Sequence, residues 1–369
     1  MSTPGKLILM GEHAVVYGRP ALVAAIDLRL RARFSAPPEA SRAAAQVEID
    51  LPGLGCRTTV GWDEVLGYTR AARDGWAAYA ARPGLESFLA LRGNDPAHVV
   101  KVALGEAAAA LGEEADSGSG IPPGLYLRLD SELPIGAGFG SSAAAAVAVV
   151  AGYAAFRGGA GFDAGTIARL ALEAERRQHG LPSGVDTATS LHGGLLWAQR
   201  LPPAQGGQLV CERLAAGSPL LGRLRVYHTG TPPESTGAVV AAVRTRRDRD
   251  PQAHERLFDR MAAATLALRS ELGAAAERPP QVIALIREHE ACLEALGVVP
   301  DAVRVLVRQV EAKGGAAKVS GAGSLAGPGA GSLLVYHPQP EAAAAWEFLR
   351  PFAHHPVHLG AAGFRRESS

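Results

Sequence analysis

Leu125-Tyr126-Leu127-Arg128-Leu129 alternates apolar and polar side chains and leads, through Asp130–Leu133, into Pro134-Ile135-Gly136-Ala137-Gly138-Phe139-Gly140-Ser141-Ser142. The alternation predicts a strand, and the run of small residues from Ser141 onward predicts a helix. Between them, alternate glycines predict a loop whose backbone reaches φ > 0 and can approach a ligand closely. The first turn of a helix offers unpaired N–H groups and the positive end of its dipole, so strand, loop and helix together make a cradle for phosphate. Ser141 and Ser142 add hydroxyls, one of which can reach a metal. A tight turn followed by a close-packed alanine helix fits the same residues. Two other phosphate motifs do not. Gly136-x-Gly138-x-Gly140 departs from G-x-G-x-x-G, and no lysine follows the glycines as a Walker A loop requires.

Downstream, Glu175-Arg176-Arg177-Gln178-His179-Gly180-Leu181-Pro182-Ser183-Gly184-Val185-Asp186 sets one carboxylate near a helix end and another beyond a Pro/Gly turn. Phosphoryl transfer needs two such roles: one carboxylate toward Mg²⁺ and one beside the attacking hydroxyl. A surface helix in which Glu175 pairs with Arg176 or Arg177 accounts for the same pattern. Upstream, Pro4–Gly18 places Lys6 at the start of an apolar strand and Glu12-His13 at its end. The chain holds four lysines, Lys6, Lys101, Lys313 and Lys318, which makes a lysine beside an apolar strand conspicuous.

With 369 residues, 47% apolar and 20% charged, the chain has the composition of a globular protein of two domains. A formal net charge of +1 gives no field for nucleic acid or membrane. The basic run Arg244–Arg249 and the alternating Arg29, Arg31 and Arg33 are expected on solvated faces. Cys56, Cys211 and Cys292 have no metal-ligand spacing and read as small core residues in a reducing compartment. The apolar run Leu7–Met10 is interrupted by Gly11-Glu12-His13, and Ala143–Phe156 is too short to span a bilayer, so a soluble, cytoplasmic protein is expected.

Further strands are expected at Leu7–Met10, Ala21–Phe34, Val47–Leu51, Thr58–Val60, Leu195–Ala198, Leu224–His228, Ala316–Ser320 and Ser332–Tyr336. Helices are expected at Ala97–Leu111, Asp163–His179, Thr236–Thr245, Ala253–Leu272, Pro279–Leu296 and Ala302–Lys313. The connections at 35–45 and 113–123 read as polar or proline-rich. The Pro/Gly/Gln stretch Pro202–Gln208 is taken as the boundary between domains 1–205 and 206–369.

Three segments in order, Pro4–Gly18, Leu133–Ala144 and Ala317-Lys318-Val319-Ser320-Gly321-Ala322-Gly323, resemble the GHMP kinases, the family named for galactokinase, homoserine kinase, mevalonate kinase and phosphomevalonate kinase. Within it, Gly11-Glu12-His13-Ala14-Val15-Val16-Tyr17-Gly18 and Glu175–Asp186 are similar to the mevalonate kinase members. The resemblance implies an α+β fold, with an N-terminal domain like ribosomal protein S5 domain 2 and a ferredoxin-like C-terminal domain. It implies ATP and Mg²⁺, a small hydroxy acid (mevalonate) as acceptor, and a homodimer. By the same resemblance Asp186 and Lys6 are catalytic, and Ser142 and Glu175 contact Mg²⁺. Ser131, Gly136, Ala137, Gly138, Phe139, Gly140, Ser141 and Ser142 line the nucleotide phosphates, and Glu12, His13 and Thr236 border the acceptor. A kinase of phosphomevalonate or another hydroxy acid, with Arg176, Arg177 and Arg244 as its candidate extra cations, and a silent ligand-binding homologue are the alternatives. One departure stands out: the third segment continues as Ser324-Leu325-Ala326-Gly327-Pro328-Gly329-Ala330-Gly331, where the family runs on through glycines into a strand.

Overall fold

The computed structural model describes residues 1–37, 45–91, 95–113, 123–158, 161–205 and 207–367. The connections expected at 35–45 and 113–123 therefore fall largely outside the described residues. Among those described, two sheets organise the chain.

The first sheet is built on the long strand β2 (Ala21–Ser35), whose length lets it serve several neighbours. It pairs antiparallel with β1 (Ser2–Met10), with β5 (Leu125–Ser131) at one end and with β6 (Leu195–Arg200) at the other. β3 (Gln46–Leu51) runs parallel to β5 and antiparallel to β4 (Cys56–Gly61), and β7 (Leu209–Leu214) completes the opposite edge beside β6. Seven strands in all place β7, beyond Pro202–Gln208, in the first sheet; the change of sheet falls between Leu214 and Leu224.

The helices of this half are α1 (Trp62–Ala81), α2 (Leu85–Leu91), α3 (His98–Ala110), α4 (Ser141–Phe156), α5 (Ala164–His179) and α6 (Val185–His192). In α4 every residue from Ala143 to Ala154 is buried. Its alanines let β2, α3 and α5 approach closely, and Gly152 leaves room for the Phe34 ring. α5 begins on Asp163, whose side chain accepts from the Thr166 N–H at 2.6 Å, as an N-cap should.

The second half contains α7 (Thr236–Arg249), α8 (Pro251–Leu272), α9 (Pro279–Ala295) and α10 (Asp301–Ala312). They pack with a four-stranded antiparallel sheet in the order β11-β8-β10-β9, comprising β8 (Leu224–His228), β9 (Ala316–Ser320), β10 (Ser332–Tyr336) and β11 (Ala353–His355). Its core gathers Val239, Phe258, Met261, Leu293, Val307 and Leu333, and Ala14 of the first half packs into it.

Two charge expectations are corrected. Arg29 is not solvated: it is buried and donates to Ser2 Oγ at 2.5 Å and to the carbonyls of Ala362 at 2.7 Å and Gly363 at 2.8 Å. These bonds hold the C-terminal segment against the first sheet, where Arg365 pairs with Ser2 and Ala362 with Gly193. Nor is the basic run only a solvated face. Arg246 donates to the Leu296 carbonyl at 2.7 Å, and Arg247 pairs with Glu255 while its guanidinium lies 4.8 Å from the centre of the Tyr17 ring. No described helix is long and apolar enough to cross a membrane.

Candidate active site

A cleft of about 420 Å³ opens between the halves. Its wall from the first half is the glycine loop, held to β1 by the Lys6 N–H donating to the Phe139 carbonyl at 2.9 Å. Gly136, Gly138 and Gly140 all have φ between 71° and 82°. Gly140 also leaves no room for a side chain, because a Cβ there would sit 2.9 Å from Lys6 Cγ and 3.6 Å from Asp186 Oδ2. No side chain caps α4, so its first N–H groups remain available to a ligand. Gly136, Gly138, Phe139, Gly140, Ser141 and Ser142 border the cleft. Ala137 instead is buried beneath the loop, where its carbonyl accepts from Ser332 Oγ of β10.

Lys6 and Asp186 meet in this cleft, with Lys6 Nζ 3.2 Å from Asp186 Oδ2. Asp186 lies not on a loop but in the first turn of α6, just after Gly184 at φ 86°. Ser190 of that helix donates to the Pro4 carbonyl of β1 at 3.2 Å, which fixes helix and strand relative to each other. Lys6 is almost wholly enclosed, whereas Asp186 faces the cleft with a third of its side chain exposed.

One turn of α5 presents Glu175 and His179 on the same face. Glu175 is buried, and its pKa is pushed up to about 8 by that burial and by the Asp186 charge, while the Ser142 hydroxyl and Lys6 pull the other way. Its Oε1 atom has no hydrogen-bond partner. A buried carboxylate oxygen left open beside a serine hydroxyl fits a divalent cation, which takes one or two protein oxygens and completes its shell with phosphate and water. Among the described residues no group of three or more His, Cys, Asp and Glu side chains holds a metal by itself, so that mode is the one on offer. Ser142 Oγ lies 2.9 Å from His179 Nε2, whose distance to Glu175 Oε2 is 3.8 Å.

Glu12, His13, Val15, Val16, Leu181 and Thr236 also line the cleft. His13 adopts φ 57°, a strained backbone for a non-glycine residue, and its Nε2 lies 2.9 Å from the Ala322 carbonyl. Burial lowers its pKa to about 4, so the ring is neutral. Glu12 is enclosed and pairs with Lys318 of β9, a partner 306 residues away. His289 of α9 stands 3.6 Å from Glu12 Oε2 and accepts the Gly11 N–H at 2.9 Å. Lys318 and His289 were not assigned from sequence. The only hint was that Lys318 is one of four lysines and sits in the third segment.

The extended Ser324–Gly331 loop folds over Thr229–Glu234. Ser324 Oγ donates to Glu234 at 2.7 Å, the Ala330 N–H donates to Thr229 Oγ1 at 2.9 Å, and Gly331 borders the cleft against the Ala137 carbonyl. The Gly321 end of the segment packs against Gly138.

A second cavity of about 380 Å³ shares Ile135, Ser141, Ser142 and Gln178 with the first. Ser131 lies here, among Leu30, Leu51, Leu54, Pro96 and Val99. Its Oγ accepts the Leu133 N–H at 3.1 Å, so the hydroxyl shapes the entry to the loop.

The chain is similar to known proteins in sequence and in fold. A model of the GHMP kinases N terminal domain matches residues 98–194. The mevalonate kinase of Archaeoglobus fulgidus is 30% identical over 323 residues, 87% of this chain and 88% of that protein. That of Mus musculus is 31% identical over 366 residues, 91% of this chain and 85% of its own. The crystal structure of the Methanococcus jannaschii mevalonate kinase shares the fold, with a TM-score of 0.70 at 18% identity and 97% of each chain covered. The chain therefore has the two-domain GHMP kinase fold and belongs to the GHMP kinase family as a homologue of the mevalonate kinases.

Proposed function

We propose that the protein is an ATP-dependent kinase that phosphorylates the C5 hydroxyl of mevalonate. The observation that carries the choice of acceptor is the inventory of cations. Among the described residues bordering the cleft, Lys6 is the single lysine or arginine, and Asp186 already pairs with it. A phosphorylated acceptor brings about two further negative charges, which need cations or helix ends to offset them. Arg176 and Arg177 are engaged by Glu173, and neither they nor Arg244 border the cleft. An acceptor with one carboxylate and hydroxyls suits this site better.

The apolar second cavity suits the base and ribose of ATP, with its phosphates passing over Ser141 and Ser142 into the cleft. Ser142 and Glu175 would hold Mg²⁺, which when bound offsets charge on the phosphates. Asp186 orients the acceptor hydroxyl in line with the γ-phosphorus. The new O–P bond forms as the bond to the β–γ bridging oxygen breaks, ADP leaves, and the hydroxyl proton passes to Asp186. A loose transition state asks little of a base, so orientation is the larger part of that role. Lys6 holds Asp186 in place, and with the first N–H groups of α4 it offsets the charge on the transferring group.

The succession β8, helices, β9, β10, short helix, β11, with sheet order β11-β8-β10-β9, supports a ferredoxin-like C-terminal domain. We assign the mixed first sheet to the ribosomal protein S5 domain 2 type.

ADP release from Mg-ATP with mevalonate, phosphomevalonate, galactose and homoserine tests the assignment. Turnover on mevalonate alone is expected; a preference for any other member of the panel would replace it.

A further inference from the structure

We infer that His179 is a positioning residue for the cation, acting through the Ser142 hydroxyl. A serine hydroxyl has one proton and two lone pairs. If Ser142 Oγ and Glu175 both turn oxygens to one cation, the proton cannot lie between them, and it needs an acceptor on the far side. His179 Nε2 lies 2.9 Å from Ser142 Oγ and 3.8 Å from Glu175 Oε2. It therefore stands where that proton must go.

The placement is built into α5. Glu175 and His179 are four residues apart and share a helix face, so one helix carries both the cation's carboxylate and the group that orients its hydroxyl. Gly180 ends the helix immediately afterwards, and its carbonyl accepts from Trp76 Nε1 at 2.7 Å, which anchors the turn that carries His179. With no cation bound, the Ser142 proton is free to face Glu175 and Nε2–H can donate to Ser142. With the cation bound, the Ser142 hydroxyl donates and Nε2 accepts, the neutral ring then carrying its single proton on Nδ1. His179 thus supports both states of the hydroxyl, as outer-shell partners of metal ligands do.

The inference rests on the reading of Ser142 and Glu175 as the cation's ligands, and the test separates the two. Mn²⁺ binding to the protein with the non-hydrolysable analogue AMP-PNP is followed by electron paramagnetic resonance for wild type, His179→Ala, His179→Asn, Ser142→Ala and the Ser142→Ala/His179→Ala pair. AMP-PNP binding in EDTA is measured alongside. His179→Ala is expected to weaken Mn²⁺ binding about tenfold or more, to leave metal-free AMP-PNP binding unchanged, and to add nothing to Ser142→Ala. His179→Asn, which keeps an acceptor, should recover part of the loss. Additive effects, unchanged Mn²⁺ affinity in His179→Ala, or a parallel fall in metal-free AMP-PNP binding would overturn the role of His179. Unchanged Mn²⁺ affinity in Ser142→Ala would overturn the ligand reading beneath it.

Discussion

Lys6 Nζ stands 3.2 Å from Asp186 Oδ2, with Gly140 packed against both side chains. A strand near the N-terminus, a helix almost two hundred positions later and the phosphate loop thus share one point. If these side chains act as a unit, their losses are not additive. Asp186→Ala should keep ATP affinity and lose about 10²–10⁴-fold in kcat. Lys6→Met combined with it should cost little more than the worse single change. Steady-state kinetics with equilibrium nucleotide binding checks both statements, and near-normal turnover in Asp186→Ala would remove Asp186 from the mechanism.

Gly140→Ala brings a methyl into that meeting point at φ 71°. The backbone alone costs about 1–2 kcal/mol in a non-glycine residue, and the contact with Lys6 adds to it. Loss of turnover larger than loss of thermal stability is expected, because the displaced side chains are Lys6 and Asp186. A variant with wild-type kcat would show that the loop yields without moving them.

Glu175 supplies a pH dependence. Its folded-state pKa of about 8 lies above the ordinary value of 4.5, because burial and Asp186 favour the protonated form. The folded state then binds a proton that the unfolded state has released, so raising the pH between those values favours unfolding. This contribution is complete below the lower value, fades across the window and stays lost above the upper one. Without metal, wild type should lose more thermal stability than Glu175→Gln between pH 5.5 and 8. Parallel curves would contradict the assignment.

Nine of the strands and the phosphate loop were legible because alternation and spaced glycines are local signals; β7 and the three-residue β11 were not expected. α4, α5 and the helices of the second half were legible for the same reason. Helices α1 and α2 were not assigned, because Ala- and Arg-rich sequence with Gly67 and Gly75 carries a weak amphipathic pattern. The helix that carries Asp186 was not expected, because Pro182 and Gly184 precede a helix of only eight residues. The partners of Glu12 were beyond reach for another reason. Glu12 and Lys318 are 306 positions apart, and only the packing of the two halves brings them together. Arg29 was misread in the same way, since the carbonyls of Ala362 and Gly363 that bury it arrive from the far end of the chain.

That buried pair makes its own prediction. Lys318→Met leaves the Glu12 carboxylate enclosed without its partner, which typically costs about 3–5 kcal/mol. Adding Glu12→Gln should restore much of the loss, because the uncompensated charge is gone. Thermal unfolding of the two variants checks this, and equal stability of the single and double variants would contradict a charge-driven effect.

The decisive comparison is kcat/KM for mevalonate and phosphomevalonate with saturating Mg-ATP and the same enzyme preparation. With Lys6 the single lysine or arginine among the described residues bordering the cleft, mevalonate should be used at least about a hundredfold better, since a pocket that leaves a ligand's polar groups unpaired discriminates strongly. Efficient turnover of phosphomevalonate with mevalonate inert would contradict it.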